Sequence, residues 1–246
     1  MSKRVITLST LLVLVLAISS CSSATSTNYN YSDAETDAFA VGLNRERDYL
    51  TIVNEDHEYD FGGVYDVALQ PDLIYVSDFE GAPTPLEKGT NTAFSLLKQY
   101  LHSIGVDIEL YSGYRTKDDQ QWVYDYYSNL EGWAENNKVL SPGFSEHHTG
   151  LLLNIVIWWP SEENPDDYVW TTETAERQAK DSGYQIVRDA LADFGFIERY
   201  PAGKEDITGL PCEPYEIRFV GSSKVAHEIM DNDLCLEEYV ETLQSK

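Results

Sequence analysis

Positive charge is scarce in this sequence. Seventeen lysines and arginines stand against 42 aspartates and glutamates, a formal net charge of −25 over 246 residues. That balance excludes nucleic acid as a partner, because phosphates need basic side chains to neutralise them. The surplus acid reads as solvated surface. A membrane-spanning run is also missing. The apolar stretch "LLVLVLAI", residues 11–18, extends to about fourteen residues with its flanks, short of the ~20 a span requires. Internal repeats and a second linker are absent, and cysteine is down to three residues.

What is present suits one well-cored domain. Hydrophobic residues make up 42% of the chain, with 17 Tyr and 5 Trp, which rules out a disordered polymer. The N-terminus reads as an export signal, with Lys3 and Arg4 ahead of the apolar run and small residues before Cys21. "ISSC" (18–21) resembles the cleavage box of bacterial lipoproteins, in which the cysteine carries lipid. The expected product is therefore exported, lipid-anchored through Cys21 at the outer face of a bacterial cell membrane, and in contact with the membrane through that anchor alone. Residues 1–20 are the signal, 21–37 a polar tether, and 38–246 the domain. Once Cys21 is lipidated, Cys212 and Cys235 remain. Outside the cytoplasm two thiols can pair, and a Cys212–Cys235 disulfide is expected; two unrelated reduced thiols are the alternative.

Hydrophobic periodicity predicts helices over 91–105, 117–130 and 175–195, the last loosened near Gly183, and a closing helix over 236–243. Strands are predicted over 106–111, 151–159 and 214–221. Helices and short strands mix without a regular βαβ rhythm, so the fold class is α+β.

Chemistry concentrates in two stretches. "SEHHTGLLLN" (145–154) places His147 before Gly150 and Asn154 further on. A plain strand would put 147 and 154 on opposite faces, but a bend at Gly150 lets them converge. "EPYE" (213–216) adds Glu213 and Glu216, and Pro214 disfavours a regular ladder there, so both carboxylates can aim into one cleft. Taken without other context, Glu216 and Arg218 read as a surface pair on one strand face. His148 is expected to point away from His147, either supporting the site from behind or lying at the surface, and His57, His102 and His227 fit no pattern.

Six blocks in order resemble the VanY-like D-alanyl-D-alanine carboxypeptidases, LAS-type zinc peptidases acting on cell-wall peptides. They are "SGYRTKDDQ" (112–120), "PGFSEHHTGLLLNI" (142–155), "FGFIERYP" (194–201), "ITG" (207–209), "EPYEIRFVG" (213–221) and "LEEY" (236–239). The resemblance implies a single domain with a small, mostly antiparallel sheet flanked by helices. The family pattern is S-x-H-x-x-G-x-A-x-D followed by E-x-W-H, with zinc on the first His, the Asp and the last His, and a catalytic base on the Glu. By that correspondence His147 is a metal ligand and Glu213 the base. Arg115, Gln120 and Ser145 fall at substrate-contacting positions, with Arg115 facing the peptide's C-terminal carboxylate. The other two metal positions are occupied by Asn154 and Glu216. Glu is an acceptable zinc ligand, whereas a neutral amide oxygen suits harder ions. Zinc is thus expected to be absent, weakly held or replaced by a different divalent ion.

Two functions follow from the resemblance. One is a catalytically impaired protein that binds peptidoglycan stem peptides, with an envelope protein as a further partner; this is the favoured expectation. The other is an active metal-dependent carboxypeptidase with an unusual His/Asn/Glu site.

Overall fold

A computed structural model describes residues 37–44, 47–61, 72–129, 139–158, 168–169 and 182–245. Signal, Cys21 and nearly all of the expected tether lie outside these residues. Asp37, placed at the end of the tether, already belongs to the domain: its carboxylate accepts from the Ser223 amide at 3.0 Å and the Ser223 hydroxyl at 2.5 Å.

After a 3₁₀ turn at Ala40–Gly42 comes an antiparallel hairpin, β1 (Leu73–Ser77) and β2 (Pro83–Glu87), which leads directly into helix α1 (Lys88–Ser103). Glu87 starts that helix. Its buried carboxylate accepts from the Thr90 amide at 2.7 Å and from the Thr90 hydroxyl at 3.0 Å, satisfying an amide that helix geometry leaves unpaired. The helix therefore begins three residues before the periodicity suggests. Next come β3 (Asp107–Ser112) and α2 (Lys117–Ser128). A reciprocal cap fixes the start of α2: the Thr116 hydroxyl accepts from the Asp119 amide and the Asp119 carboxylate accepts from the Thr116 amide, each at 3.0 Å.

The rest of the order is β4 (Leu152–Trp158), β5 (Tyr168–Val169), α3 (Ser182–Leu191), β6 (Phe196–Glu198), α4 (Glu205–Thr208), β7 (Glu216–Phe219), α5 (Ser223–Met230) and α6 (Leu236–Gln244). Helix α3 is described from Ser182 onward; residues 175–181 of the expected helix, and with them the approach to Gly183 where loosening is expected, lie outside the described residues. The main sheet is antiparallel in the order β3-β4-β7-β6, with β5 on the end of β4. The α+β class is what the sequence pattern anticipates, and a small antiparallel sheet is what the family resemblance implies. The β1–β2 hairpin is not anticipated, because Pro83 and Pro85 weaken the strand signal.

Side-chain alternation gives the sheet two unlike faces. Leu153, Ile155 and Ile157 of β4 and Ile217 and Phe219 of β7 pack with Ala93, Leu97 and Leu101 of α1 and Val187 and Leu191 of α3. Each fully buried Leu or Ile contributes roughly 1.5–3 kcal/mol. The opposite parity carries Leu152, Asn154, Glu216 and Arg218. Register sets Asn154 against Glu216 and Leu152 against Arg218, while Ser112 pairs Asn154 from the other side. Leu152, Asn154 and Glu216 of that row line a cleft.

Two sequence expectations are corrected. Cys212 and Cys235 are free thiols rather than a disulfide. Cys235 is buried at the N-cap of α6, where its amide donates to Glu238 at 2.9 Å, while Cys212 sits in the segment before β7 under the influence of Glu198, Glu205 and Glu213. Arg218 is not a surface residue but is fully buried. Its Nε pairs with the equally buried Glu146 at 3.1 Å and Nη2 donates to the Thr51 carbonyl at 2.9 Å.

Candidate active site

Arg115, Gln120, Ser145, His147, Asn154, Glu213 and Glu216 all line one cleft of about 180 Å³. Every expected catalytic, metal and ligand-contacting residue therefore converges.

His147 enters from a 3₁₀ turn, Glu146–Thr149, whose N-cap is Ser145 and which Gly150 closes at φ 68°. That left-handed turn supplies the bend the strand pattern required. His147 Nδ1 donates to the Gly113 carbonyl at 2.6 Å, which leaves Nε2 as the bare acceptor facing the cleft. Nε2 is buried without a hydrogen-bond partner, as is Asn154 Oδ1. A Glu216 carboxylate oxygen lies 3.8 Å from Nε2. Burial, with the Arg115 charge added, holds the His147 imidazole below its ordinary pKa against the pull of Glu216.

Glu213 sits one turn before β7. Burial, reinforced by the Glu216 carboxylate, pushes its pKa up to about 8, while a hydrogen bond from Tyr215 opposes the shift. Two carboxyls in one desolvated cleft do not both ionise readily.

Arg115 is held from several sides. Its Nε and Nη2 donate to Ser112 Oγ at 3.2 and 3.0 Å, and Nη1 donates to Gln120 Oε1 at 3.3 Å. The Gln120 amide donates onward to the Leu140 carbonyl at 2.7 Å, so Gln120 helps to position the Arg115 guanidinium. His148 is buried behind the site, one of its two expected places: Nδ1 donates to the Arg115 carbonyl at 2.8 Å and Nε2 accepts from the Gly143 amide at 3.0 Å. Burial lowers its pKa to about 4, which keeps that pair of bonds available near neutrality. Among the described residues the Arg115 guanidinium thus hydrogen-bonds to neutral partners, while the Glu216 carboxylate acts on it electrostatically.

Behind the turn, Glu146 is shared between two buried arginines, Arg218 at 3.1 Å and Arg199 at 2.7 Å, and Arg199 also reaches Glu237 of α6 at 2.6 Å. Tyr111, Val123, Tyr127 and Tyr200 complete much of the cleft wall. Sequence reasoning missed these four. The signal for two of them was available, since Gln120, Val123 and Tyr127 fall three and four apart on one helical face.

The side chains do not fit a tightly held zinc ion. One imidazole nitrogen, one neutral amide oxygen and one carboxylate converge, and among the described residues no three His, Cys, Asp or Glu side chains come together as a metal-binding group. Zinc sites draw on Cys, His and carboxylate ligands. Each of the three offers a hydrogen-bond acceptor, and the Asn154 amide a donor as well.

Comparison with known proteins matches this geometry. Residues 84–222 match the family model of VanY, D-alanyl-D-alanine carboxypeptidase. YodJ of Bacillus subtilis (strain 168), which carries a provisional carboxypeptidase name, is 31% identical over 82% of this chain and 70% of its own length. Among solved structures, the LdcB LD-carboxypeptidase, described as revealing the basis of peptidoglycan recognition, shares 31% identity with a TM-score of 0.62, covering 78% of this chain and 86% of LdcB. A mutant of the vancomycin-resistance D,D-pentapeptidase VanY, solved with Zn(II), shares 28% identity with a TM-score of 0.56, covering 79% and 99%. By family model, relatives and fold, the chain belongs to the VanY family of D-alanyl-D-alanine carboxypeptidases.

Proposed function

We propose that this chain is a lipid-anchored envelope protein that recognises the C-terminal end of peptidoglycan stem peptides and has lost most of its capacity to cut them. The observation that carries the reading is the half-buried Arg115 side chain, which lines the same cleft as Asn154. Arg115 supplies the planar, bidentate partner that a terminal carboxylate prefers. Asn154 faces Glu216 across the strand pair and gives the ligand's N–H an acceptor where the family pattern has an anionic metal ligand. Anchoring through Cys21 keeps the protein beside the wall it would survey.

A second reading, an active carboxypeptidase with a divalent ion on His147, Asn154 and Glu216, is favoured by the Glu213 pKa of about 8. A general base works best with a pKa near the working pH.

Calorimetry with a stem-peptide mimic ending in D-alanyl-D-alanine, without added metal, tests the proposal. Binding is expected, and Arg115→Ala should weaken it about 10–100-fold, the worth of a charged hydrogen-bonded contact. The double reversion Asn154→Asp with Glu216→His should gain zinc affinity. Stoichiometric zinc in the unaltered protein, with D-alanine release that Glu213→Gln abolishes, would establish the second reading instead.

A further inference from the structure

Helix α2 has a second face. While Gln120, Val123 and Tyr127 line the cleft, Trp122 and Tyr126 stand 67% and 51% exposed. Their rings are stacked nearly parallel, 14° apart in plane, with centroids at 5.6 Å. Tyr126 meets Tyr127 edge-on at 5.1 Å, so one aromatic ridge runs from solvent to the cleft wall. Beside the ridge Gln121 donates to Asp125 at 2.8 Å, giving a polar edge next to a flat apolar face.

Such a face needs an occupant, and three observations select one. Charge comes first. The chain is strongly acidic, at −25, and the ridge itself carries no charge, which disfavours an anionic membrane surface or a phosphate polymer. Continuity comes second, because the ridge and the cleft share a helix. Length comes third. If Arg115 holds the C-terminus at the start of α2, an extended chain of four or five residues reaches roughly 14–17 Å. Tyr126, ten residues into the helix, lies about 15 Å along its axis. What is attached to the far end of a stem peptide is a sugar.

We propose that Trp122 and Tyr126 form a stacking subsite for a neutral N-acetylhexosamine ring, the sugar that carries the stem peptide held in the cleft. The subsite rests on the stem-peptide reading above and extends it from a peptide terminus to a glycopeptide. The apolar C–H face of the pyranose lies on the rings, and the Gln121–Asp125 edge meets its hydroxyls.

The test uses the full-length chain and two fluorescent ligands: a stem peptide ending in D-alanyl-D-alanine, and the same peptide joined to its amino-sugar disaccharide. The disaccharide should raise affinity about tenfold. Trp122→Ala with Tyr126→Ala should erase that increment and leave the sugar-free peptide bound as before. Trp122→Phe with Tyr126→Phe should keep part of the increment, which separates lost stacking from lost folding. Sugar-independent affinity in the unaltered protein overturns the subsite and leaves the stem-peptide reading standing. Equal losses for both ligands in the alanine variant overturn it too, by assigning the rings to the peptide. Loss of binding to anionic vesicles with the sugar increment intact would assign them to a membrane. If neither ligand binds, both readings fall together.

Discussion

The Glu213 carboxyl keeps its proton up to about pH 8 in the folded protein, against an ordinary value of 4.5. Its folded pKa is raised, so the stability it contributes is complete below pH 4.5 and is lost as pH climbs through about 8. His148 runs the other way. Its folded pKa falls from 6.5 to about 4, so its contribution is present above 6.5 and disappears as pH drops through about 4. Melting temperatures measured against pH should therefore decline on both sides of a maximum. Glu213→Gln is expected to flatten the alkaline-side decline, and His148→Gln the acid-side one, with a lower maximum because two buried hydrogen bonds go. An unchanged alkaline slope in Glu213→Gln would mean that the carboxyl is ionised at neutral pH. The residues bearing on this were only half legible beforehand. Glu213 was visible in "EPYE", but the role of His148 depended on Arg115 and Gly143 arriving at its two ring nitrogens.

At the scale of elements, the turn that delivers His147 depends on Gly150. Its φ is 68°, and an added Cβ would sit 3.1 Å from the Glu87 amide nitrogen. Gly150→Ala should cost about 1–2 kcal/mol from the left-handed backbone and the close contact, read as a lower urea midpoint. Ligand affinity should fall with it, because the displaced turn carries both Ser145 and His147. A variant as stable as the parent would show that the turn relaxes freely. Helices α1 and α2 and strands β3, β4 and β7 were legible from periodicity to within a few residues. The hairpin β1–β2 and the short β6 were not, since prolines and a three-residue length leave no alternation to read.

Over the whole molecule, a neutral quartet of two acids and two arginines ties the His147 turn to β7 and α6. Glu146 from the His147 turn, Arg199 after β6, Arg218 of β7 and Glu237 of α6 form it, with both arginines and Glu146 fully enclosed. Removing one member leaves charge stranded in a dry interior. Glu146→Ala, which strands two arginines, should destabilise by about 3–5 kcal/mol in urea unfolding. Glu237→Gln should cost less, because its side chain keeps 13% exposure. A loss under about 1 kcal/mol for Glu146→Ala would imply that water enters the quartet. The quartet also makes α6 part of the cleft's support, although it contributes no lining residue.

The linear order of residues was enough to indicate the family, the α+β class and seven of the side chains that line the cleft. Those properties are carried by short motifs and by local apolar periodicity. Chain folding settled the rest. It paired Asn154 with Glu216 through strand register, buried Arg218 that spacing alone had placed outside, left Cys212 and Cys235 unjoined, and turned two aromatic residues of α2 toward solvent. The reason is distance along the chain: Arg218 and Glu146 are 72 residues apart. A sequence reports which face of an element is apolar, but which charges meet inside depends on how those faces are stacked.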